Sequence, residues 1–254
     1  MNRISAFSAR NFREVVRDPL SYIFCLGFPL VMLVVMTLVN ESIPPEANMT
    51  IFRIDNLAGG IAVFGLTFIM LFTCLTVAKD RSGAFLTRLY SSPMRAADFI
   101  LGYTLPMLLL CVIQSLITFA AALIISLITG ANLNISGLLL STVALIPSGL
   151  MFIGLGVLFG CIFGEKAAPG MCSIIISLAA FLGGVWFDPD GTNGVLTDIC
   201  RALPFYHSVR TARAASAFDM ETLLPSLLIT LAYMAMIAAA AIFAFRWKMR
   251  ADVR

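Results

Sequence analysis

The sequence predicts an all-α integral membrane protein with six transmembrane helices. Charged residues form only 12% of the 254 residues, whereas apolar residues form 60%, and soluble domains average about 25% charged residues. Six charge-free apolar runs reach the roughly 20 residues that a helix needs to cross about 30 Å of hydrocarbon. The alternating segments of about ten residues that are typical of membrane barrels are absent. Lipid therefore surrounds most of the chain.

The predicted spans are 20–39, 57–78, 99–128, 138–163, 167–187 and 223–245. The third span is longer than required, so we expect it to tilt or to project beyond the bilayer. The fourth carries Gly156, Gly160 and Gly164 at four-residue spacing, a pattern that permits close approach of helices. We expect this glycine stripe to pack against another helix of the same chain, with packing between chains as the alternative.

The distribution of basic residues predicts the orientation. If the N-terminus lies in the cytoplasm, 13 of the 17 Lys and Arg residues fall in cytoplasmic segments, and 8 of the 14 acidic residues fall outside. Basic residues concentrate in cytoplasmic loops of membrane proteins. Both termini are therefore expected in the cytoplasm, and an even number of spans agrees with this.

Residues 1–19 predict a basic amphipathic helix. At about 100° per residue, one narrow sector collects four arginines: Arg3, Arg10, Arg13 and Arg17. Ile4, Phe12 and Val15 point to the opposite side. Such a helix can lie on the cytoplasmic lipid surface with its apolar side toward the membrane. The alternative is an ordinary basic flank that only sets the orientation.

Two connections are long enough to have structure of their own. The outer loop 188–222 carries apolar residues three and four positions apart on both sides of Pro204. This spacing predicts two short helices, and their apolar character predicts a re-entrant or interfacial helix pair before the last span. The other connection is the cytoplasmic loop 79–98.

No catalytic or metal-binding pattern is apparent. The chain has no G-x-x-x-x-G-K-[ST] phosphate loop, no acidic residue within a predicted span, and a single histidine, His207, in an outer loop. We expect the chain not to be an enzyme and to hold no metal. Among the mild polar groups inside spans, Gln114 is the candidate for a residue that lines a pathway.

The cytoplasmic loop carries the most informative pattern. Phe85, Leu86 and Leu89 have helical spacing, whereas Arg81 and Arg88 are expected to face water or an acidic partner. A short helix of this kind suits a groove on a soluble partner. The alternative is a simple connector with orienting charges.

This loop resembles the ABC-2 type permease family, the membrane subunits of type-2 ABC exporters. The matching residues are Asp80, Gly83, Leu86, Arg88, Leu89, Ser92 and Pro93, and a second match is Leu203-Pro204-Phe205-Tyr206 followed by Arg210. The order of the surface helix, spans, inner loop and outer helix pair also resembles the family over the whole chain. This sequence departs from the family pattern at Asp80, where members usually have Glu.

The resemblance implies that 79–98 is a coupling loop that docks into a separate ATPase subunit. The implied coupling residues are Asp80, Arg81, Gly83, Leu86, Arg88, Leu89 and Pro93. Two permease chains, identical or related, would assemble with two ABC ATPase subunits in a bacterial cytoplasmic membrane. ATP and Mg²⁺ would be bound by the partner, so no cofactor is expected in this chain. Membrane lipid is the other expected partner, and no nucleic acid is expected.

A mostly apolar pathway without intramembrane charges favours amphipathic cargo. We therefore expect export of drugs, antibiotics or lipid-like compounds, as in a multidrug exporter. The alternatives are export of a polysaccharide or a lantibiotic-like peptide, a membrane scaffold that recruits an ATPase without transport, and an intramembrane enzyme.

Overall fold

The computed structural model describes residues 3–44, 50–83, 96–192 and 194–251, and within these ranges it is helical and contains no strand. This confirms the predicted all-α membrane fold. The helices are α1 (Arg3–Arg17), α2 (Pro19–Ser42), α3 (Ile54–Ser82), α4 (Ala96–Thr129), α5 (Ile135–Ala144), α6 (Ile146–Ile162), α7 (Ala168–Leu182), α8 (Val195–Arg201), α9 (Pro204–Ser216) and α10 (Met220–Ala251).

Five predicted spans are confirmed as helical segments of membrane-crossing length and hydropathy. They are α2, α3, α4, the pair α5 and α6, and α10. The remaining predicted span, 167–187, forms α7, which has only 15 residues. At 1.5 Å per residue α7 is about 22 Å long, short of the roughly 30 Å hydrocarbon core. The count of six spans therefore stays a prediction.

Helix α3 is the centre of the bundle, and most of its residues are buried against α2, α4, α6, α7 and α9. It lies close to α6 at the predicted glycine stripe. A Cβ on Gly156 would lie 2.7 Å from Thr73 Cβ, and one on Gly160 would lie 2.7 Å from Val77 Cβ. Gly164 has no such neighbour within 4 Å. The predicted packing within the chain is thus confirmed for two of the three glycines.

The polar ends of several helices extend beyond the predicted boundaries. Helix α3 continues through Asp80 and Arg81 to Ser82, so these two residues are helical and do not lie in the loop expected from residue 79. Helix α4 begins at Ala96, before the predicted 99, and α10 continues past 245. A charge-free run marks where lipid ends, whereas backbone hydrogen bonding continues into water. The basic residues Lys79 and Arg81 also favour the carboxyl end of α3.

The surface helix ends at Arg17, two residues before the predicted boundary at 19. Asp18 separates it from α2 and caps α2, because its side chain accepts hydrogen bonds from Leu20 N at 3.2 Å and from Ser21 Oγ at 2.7 Å. Pro19 follows at the first helical position, where a missing N–H costs nothing. The chain therefore turns sharply from α1 into the first span.

Helix α1 and the carboxyl-terminal part of α10 lie at one end of the bundle, which we call the inner end. Phe99 at the start of α4 contacts Phe7 of α1 and Phe245 of α10, with ring centroids 5.6 and 5.7 Å apart. The opposite, outer end contains the start of α3, the helix pair α8 and α9, and the turn after α7. The two short helices expected around Pro204 are present, and Pro204 is the first residue of α9.

Candidate functional site

The candidate site lies at the inner end, where α1, the end of α3 and the start of α4 meet. Asp80 is a carboxylate with only 3% of its side chain exposed. Arg10 donates from Nη1 and Nη2 to its two oxygens at 2.7 and 2.9 Å, and Tyr103 Oη donates at 2.8 Å. Paired Arg–carboxylate bonds are strong and fix orientation. Three helices are therefore joined at one buried charge.

The network continues along α1. Glu14 accepts from Arg10 at 3.1 Å and from Lys79 at 2.9 Å. Asn11 is buried and donates from Nδ2 to the carbonyl of Gly102 at 3.0 Å. The hydrogen bond to Asp80 raises the pKa of Arg10, so this guanidinium stays charged. We call Arg10, Glu14, Lys79, Asp80 and Tyr103 the inner network.

The sequence predicted that the apolar side of α1 faces lipid, but in the structure only part of that side is exposed. Phe7 and Val15 are buried against the protein, whereas Phe12 and Val16 are exposed. Phe7 fills the space that Gly102 leaves on α4, where any Cβ would collide with the Phe7 ring. The helical pattern distinguishes the polar face from the apolar face. It does not indicate whether protein or lipid covers the apolar face.

The four predicted arginines of α1 separate into two environments. Arg10 is in the inner network, whereas Arg13 and Arg17 are exposed. The Arg3 side chain lies outside the described residues. The other three arginines lie in the same helical sector, and Arg10 differs because it pairs with Asp80.

The predicted coupling residues are described only in part. Asp80 is in the inner network, and Gly83 is exposed directly after α3. Arg81, expected to face water or an acidic partner, instead donates from Nη1 to the carbonyl of Gly160 at 3.1 Å, because the glycine stripe brings α6 close to the end of α3. Leu86, Arg88, Leu89 and Pro93 lie outside the described residues. The coupling role of all these residues stays a prediction.

Gln114 is fully buried between α3 and α4, where it fills the space beside Gly65. Its Nε2 donates to Thr118 Oγ1 at 3.1 Å and to the carbonyl of Ala62 at 3.4 Å. Within the described part of the chain, its Oε1 has no hydrogen-bond partner. Its role in a pathway stays a prediction.

A second polar cluster lies at the outer end and includes Tyr206 and Arg210 of the second sequence match. Tyr206 donates to both oxygens of Asp190 at 2.8 Å, Arg201 pairs with Asp190 at 2.9 Å, and Arg210 donates to Tyr206 Oη at 3.1 Å. Burial raises the pKa of Asp190, but the hydrogen bonds from Arg201 and Tyr206 outweigh it, so the net pKa is lowered. We call Asp190, Arg201, Tyr206 and Arg210 the outer network.

Sequence reasoning missed Arg213. It lies on α9, which is almost wholly buried between α3, α5 and α10. Its Nε donates to the carbonyl of Asn56 and its Nη2 to that of Gly184, both at 2.9 Å. Burial lowers the pKa of Arg213 to about 10, so it remains cationic at neutral pH. The available signal was one arginine within a run of alanines, Ala212 to Ala215.

An aromatic stripe along α2 and α3 was also missed. Phe68 packs on Phe24 and Phe28 with ring centroids 5.9 and 5.5 Å apart, and Phe64 packs on Trp186 at 5.3 Å. Phe24 and Phe28 are more than one-third exposed. The signal was the four-residue spacing of phenylalanines in both spans, which places them on one helical face.

The comparisons with known proteins agree with this architecture. The sequence profile of the family described as "ABC-2 type transporter" matches residues 2–216, which include both polar networks and the segment between α3 and α4. No curated protein matched this chain. Because the match covers far more than half of the 254 residues, the chain belongs to the ABC-2 type transporter family.

Proposed function

We propose that this multi-pass permease exports its cargo with energy from a separate ABC ATPase, which docks on residues 79–98 at the inner end. Family membership supports a permease that is part of an ABC transporter and does not itself catalyse a reaction. We add to this that the ATPase docks on residues 79–98 and that the cargo is exported. Residues of this segment would insert into the partner, which would bind ATP and Mg²⁺.

The inner network is the observation that carries the proposal. The segment between Gly83 and Ala96 leaves the end of α3 and enters the start of α4, and Asp80 joins these two helices through Tyr103. Arg10 adds α1 to the same carboxylate. A force on the segment therefore acts on three joined helices. Rigid-body motion of such a unit would change the access of cargo to the pathway between the two permease chains.

The packing of α7 supports six crossings. Just before α7, Glu165 accepts a hydrogen bond from Ser82 Oγ at 3.1 Å, at the inner end. Just after α7, Val185 lies beside Gly60, near the outer end of α3. Gly60 and Ser82 are 22 residues apart on one helix, or about 33 Å. The chain between 165 and 185 therefore travels about one bilayer thickness.

With six crossings, both termini lie at the inner end, which we assign to the cytoplasm of a bacterium. The positive charges support this, because the inner end contains α1 and the basic end of α10. The exposed apolar surfaces of α2 and α7 are available to lipid and to a second permease chain. We propose a dimer of permeases, identical or related, with two ATPase subunits.

The aromatic stripe supports an amphipathic cargo such as a drug, an antibiotic or a lipid-like compound. Its Phe24 and Phe28 rings are partly exposed on a face made of apolar residues. Phenylalanine offers apolar contact area and no hydrogen-bond donor. This surface suits ring systems and acyl chains better than hydroxyl-rich sugars.

The test places two acidic residues in the docking segment. Gly83→Asp with Leu86→Asp should abolish export and lower permease-stimulated ATP hydrolysis at least tenfold, because buried carboxylates without partners oppose docking. The measurement uses the permease with its ATPase in lipid nanodiscs, together with export from cells. The matched control, Asn132→Asp with Ser136→Asp, adds the same charge at the exposed outer end and should retain both activities.

Full export by the Gly83/Leu86 variant at normal abundance would refute the coupling role. Loss of stimulation only in the Asn132/Ser136 control would place the ATPase at the opposite end and reverse the assigned orientation.

A further inference from the structure

A basic groove at the inner end borders the inner network, with which it shares Arg10, Glu14 and Lys79. It has a volume of about 600 Å³ and lies between α1, the α1–α2 turn and the end of α3. Its lining includes four cations, two carboxylates and Pro19: Arg10, Arg13, Glu14, Arg17, Asp18, Pro19 and Lys79.

Internal partners occupy both carboxylates of the groove. Glu14 accepts from Arg10 and Lys79, and Asp18 caps α2 through Leu20 and Ser21. Arg13 and Arg17 differ, because no carboxylate in the described part of the chain lies within 4 Å of either guanidinium. They are four residues apart on one face of α1, so their guanidinium groups can converge on one ligand. The groove has a surplus of positive charge at these two residues.

This arrangement matches a phosphate group. Guanidinium groups bind phosphate through paired hydrogen bonds, and Lys79 adds a cation on the opposite wall of the groove. Phosphate of this kind is present in membrane lipids and in free anions such as nucleotides.

The surroundings of the groove identify the source as lipid. Val16 on α1 and Leu20 and Ile23 on α2 are about half exposed beside the basic residues. Because α2 is a membrane span, the groove lies where the span leaves the hydrocarbon. At the same end, the exposed Trp247 ring lies 5.5 Å from Lys248 Nζ, and exposed tryptophans of this kind are typical of the membrane interface.

We propose that the groove is a binding site for an anionic phospholipid. The headgroup phosphate is held by Arg13 and Arg17 with Lys79 nearby, and the acyl chains lie along Leu20 and Ile23 of α2. The proposal rests on the assigned position of α1 at the cytoplasmic membrane surface and goes beyond docking of an ATPase. A bound lipid would hold the carboxyl end of α1 next to the inner network.

The experiment measures retention of phosphatidylglycerol by the full-length permease without any ATPase. Native mass spectrometry and thermal stabilisation in detergent would compare phosphatidylglycerol with phosphatidylcholine of the same chains. Arg13→Gln with Arg17→Gln should weaken phosphatidylglycerol binding roughly tenfold, since each interfacial cation contributes appreciably to anionic lipid affinity. The control, Arg246→Gln with Lys248→Gln, removes the same charge from the same end outside the groove and should change binding less than twofold.

Three outcomes would overturn the site. Equal losses in the two variants would show diffuse surface attraction, and displacement of the lipid by millimolar inorganic phosphate or ATP would show a soluble-anion site. Unchanged phosphatidylglycerol binding by the Arg13/Arg17 variant would exclude the groove as the lipid site. Because lipid retention is measured on the permease alone, failure of ATPase coupling would leave a positive result intact.

Discussion

The two polar networks at opposite ends of the bundle differ in how they are built. The inner network joins residues 70 positions apart in sequence, Arg10 and Asp80, around a carboxylate that is 3% exposed. The outer ion pair joins Asp190 and Arg201, 11 positions apart, and both side chains are about half exposed. Arg213 is the exception at the outer end, because it reaches two distant backbone carbonyls.

The inner ion pair is therefore a long-range contact between helices, whereas the outer ion pair is a local contact. Breaking a buried ion pair leaves an uncompensated charge and costs several kcal/mol, whereas exposed ion pairs contribute about 0–1 kcal/mol. The inner end therefore has a buried long-range ion pair in addition to the packing around Phe7, whereas the outer end is held mainly by the close packing of α9. Three predictions test this contrast, in decreasing order of expected effect.

The largest effect is expected from Arg10→Met. It keeps an unbranched apolar stem but leaves the buried Asp80 carboxylate with Tyr103 as its remaining described donor. We expect a loss of about 2–3 kcal/mol of stability, at the lower end of the range for a broken buried pair because Arg10 is itself one-third exposed. Thermal unfolding in detergent measures it.

Two further variants make this prediction specific. Arg13→Met changes an exposed arginine of the same helix and should cost less than about 0.5 kcal/mol. Adding Asp80→Asn to Arg10→Met removes the stranded charge and should restore more than half of the loss. Equal destabilisation by Arg10→Met and Arg13→Met would show that the inner network does not hold α1.

The second prediction compares close contacts at the two ends. A Cβ on Gly137 of α5 would meet the backbone carbonyl of Ser216, whereas one on Gly102 would meet the side chain of Phe7. A ring can rotate away, but the end of α9 is fixed in its packing. Gly137→Ala should therefore cost about 1–3 kcal/mol, as overpacking does, and Gly102→Ala less.

Gly170→Ala on α7 is the control, because a Cβ there meets no atom within 4 Å. It should be neutral or stabilising by up to about 1 kcal/mol from helix propensity. If Gly102→Ala were the more damaging substitution in thermal unfolding, the view that packing holds the outer end would be wrong.

The smallest effect is a pH dependence confined to the outer end. His207 Nε2 donates to the carbonyl of Arg201 at 2.8 Å, and its buried Nδ1 has no hydrogen-bond partner among the described atoms. Burial lowers the pKa of His207 below its usual 6.5, despite the opposing hydrogen bond to Arg201. Stability from this group is therefore fully present above pH 6.5 and is lost as the pH falls below it.

Hydrogen exchange measures this effect. Lowering the pH from 7 to 5 should accelerate amide exchange in α8 and α9 relative to α1, after correction for intrinsic rates. Asp190 does not contribute in this window, since its lowered pKa shifts its loss of stability below pH 3.8. His207→Gln should remove the acceleration, and its persistence in that variant would exclude His207 as the cause.

Much of the architecture could be predicted because lipid imposes a simple rule on sequence. Five of the predicted spans correspond to helices of crossing length, and the break at Pro204 correctly separates α8 from α9. The ends of α3 and α10 were placed too early, since charged residues end the apolar run but not the helix. The break between α5 and α6 at Leu145 was not predicted either, although Pro147 follows it and removes a backbone donor.

The contacts of the candidate site could not be predicted from the sequence. The family pattern included Asp80 and Gly83, yet nothing local indicates that Asp80 binds Arg10. Arg10 lies in the same helical sector as Arg13 and Arg17, and only one of the three is in the inner network. That choice depends on which helix packs against α1.

By itself, the sequence determined that this chain is a helical membrane protein and where its polar segments interrupt the apolar runs. These properties follow from hydropathy and from backbone hydrogen bonds, which are satisfied within each helix. The tertiary structure alone decided which charges are buried, that α1 rests on α4 through Phe7 and Gly102, and that α9 lies inside the bundle with Arg213. Such contacts join residues tens of positions apart, so they cannot be predicted from the local periodicity of the sequence.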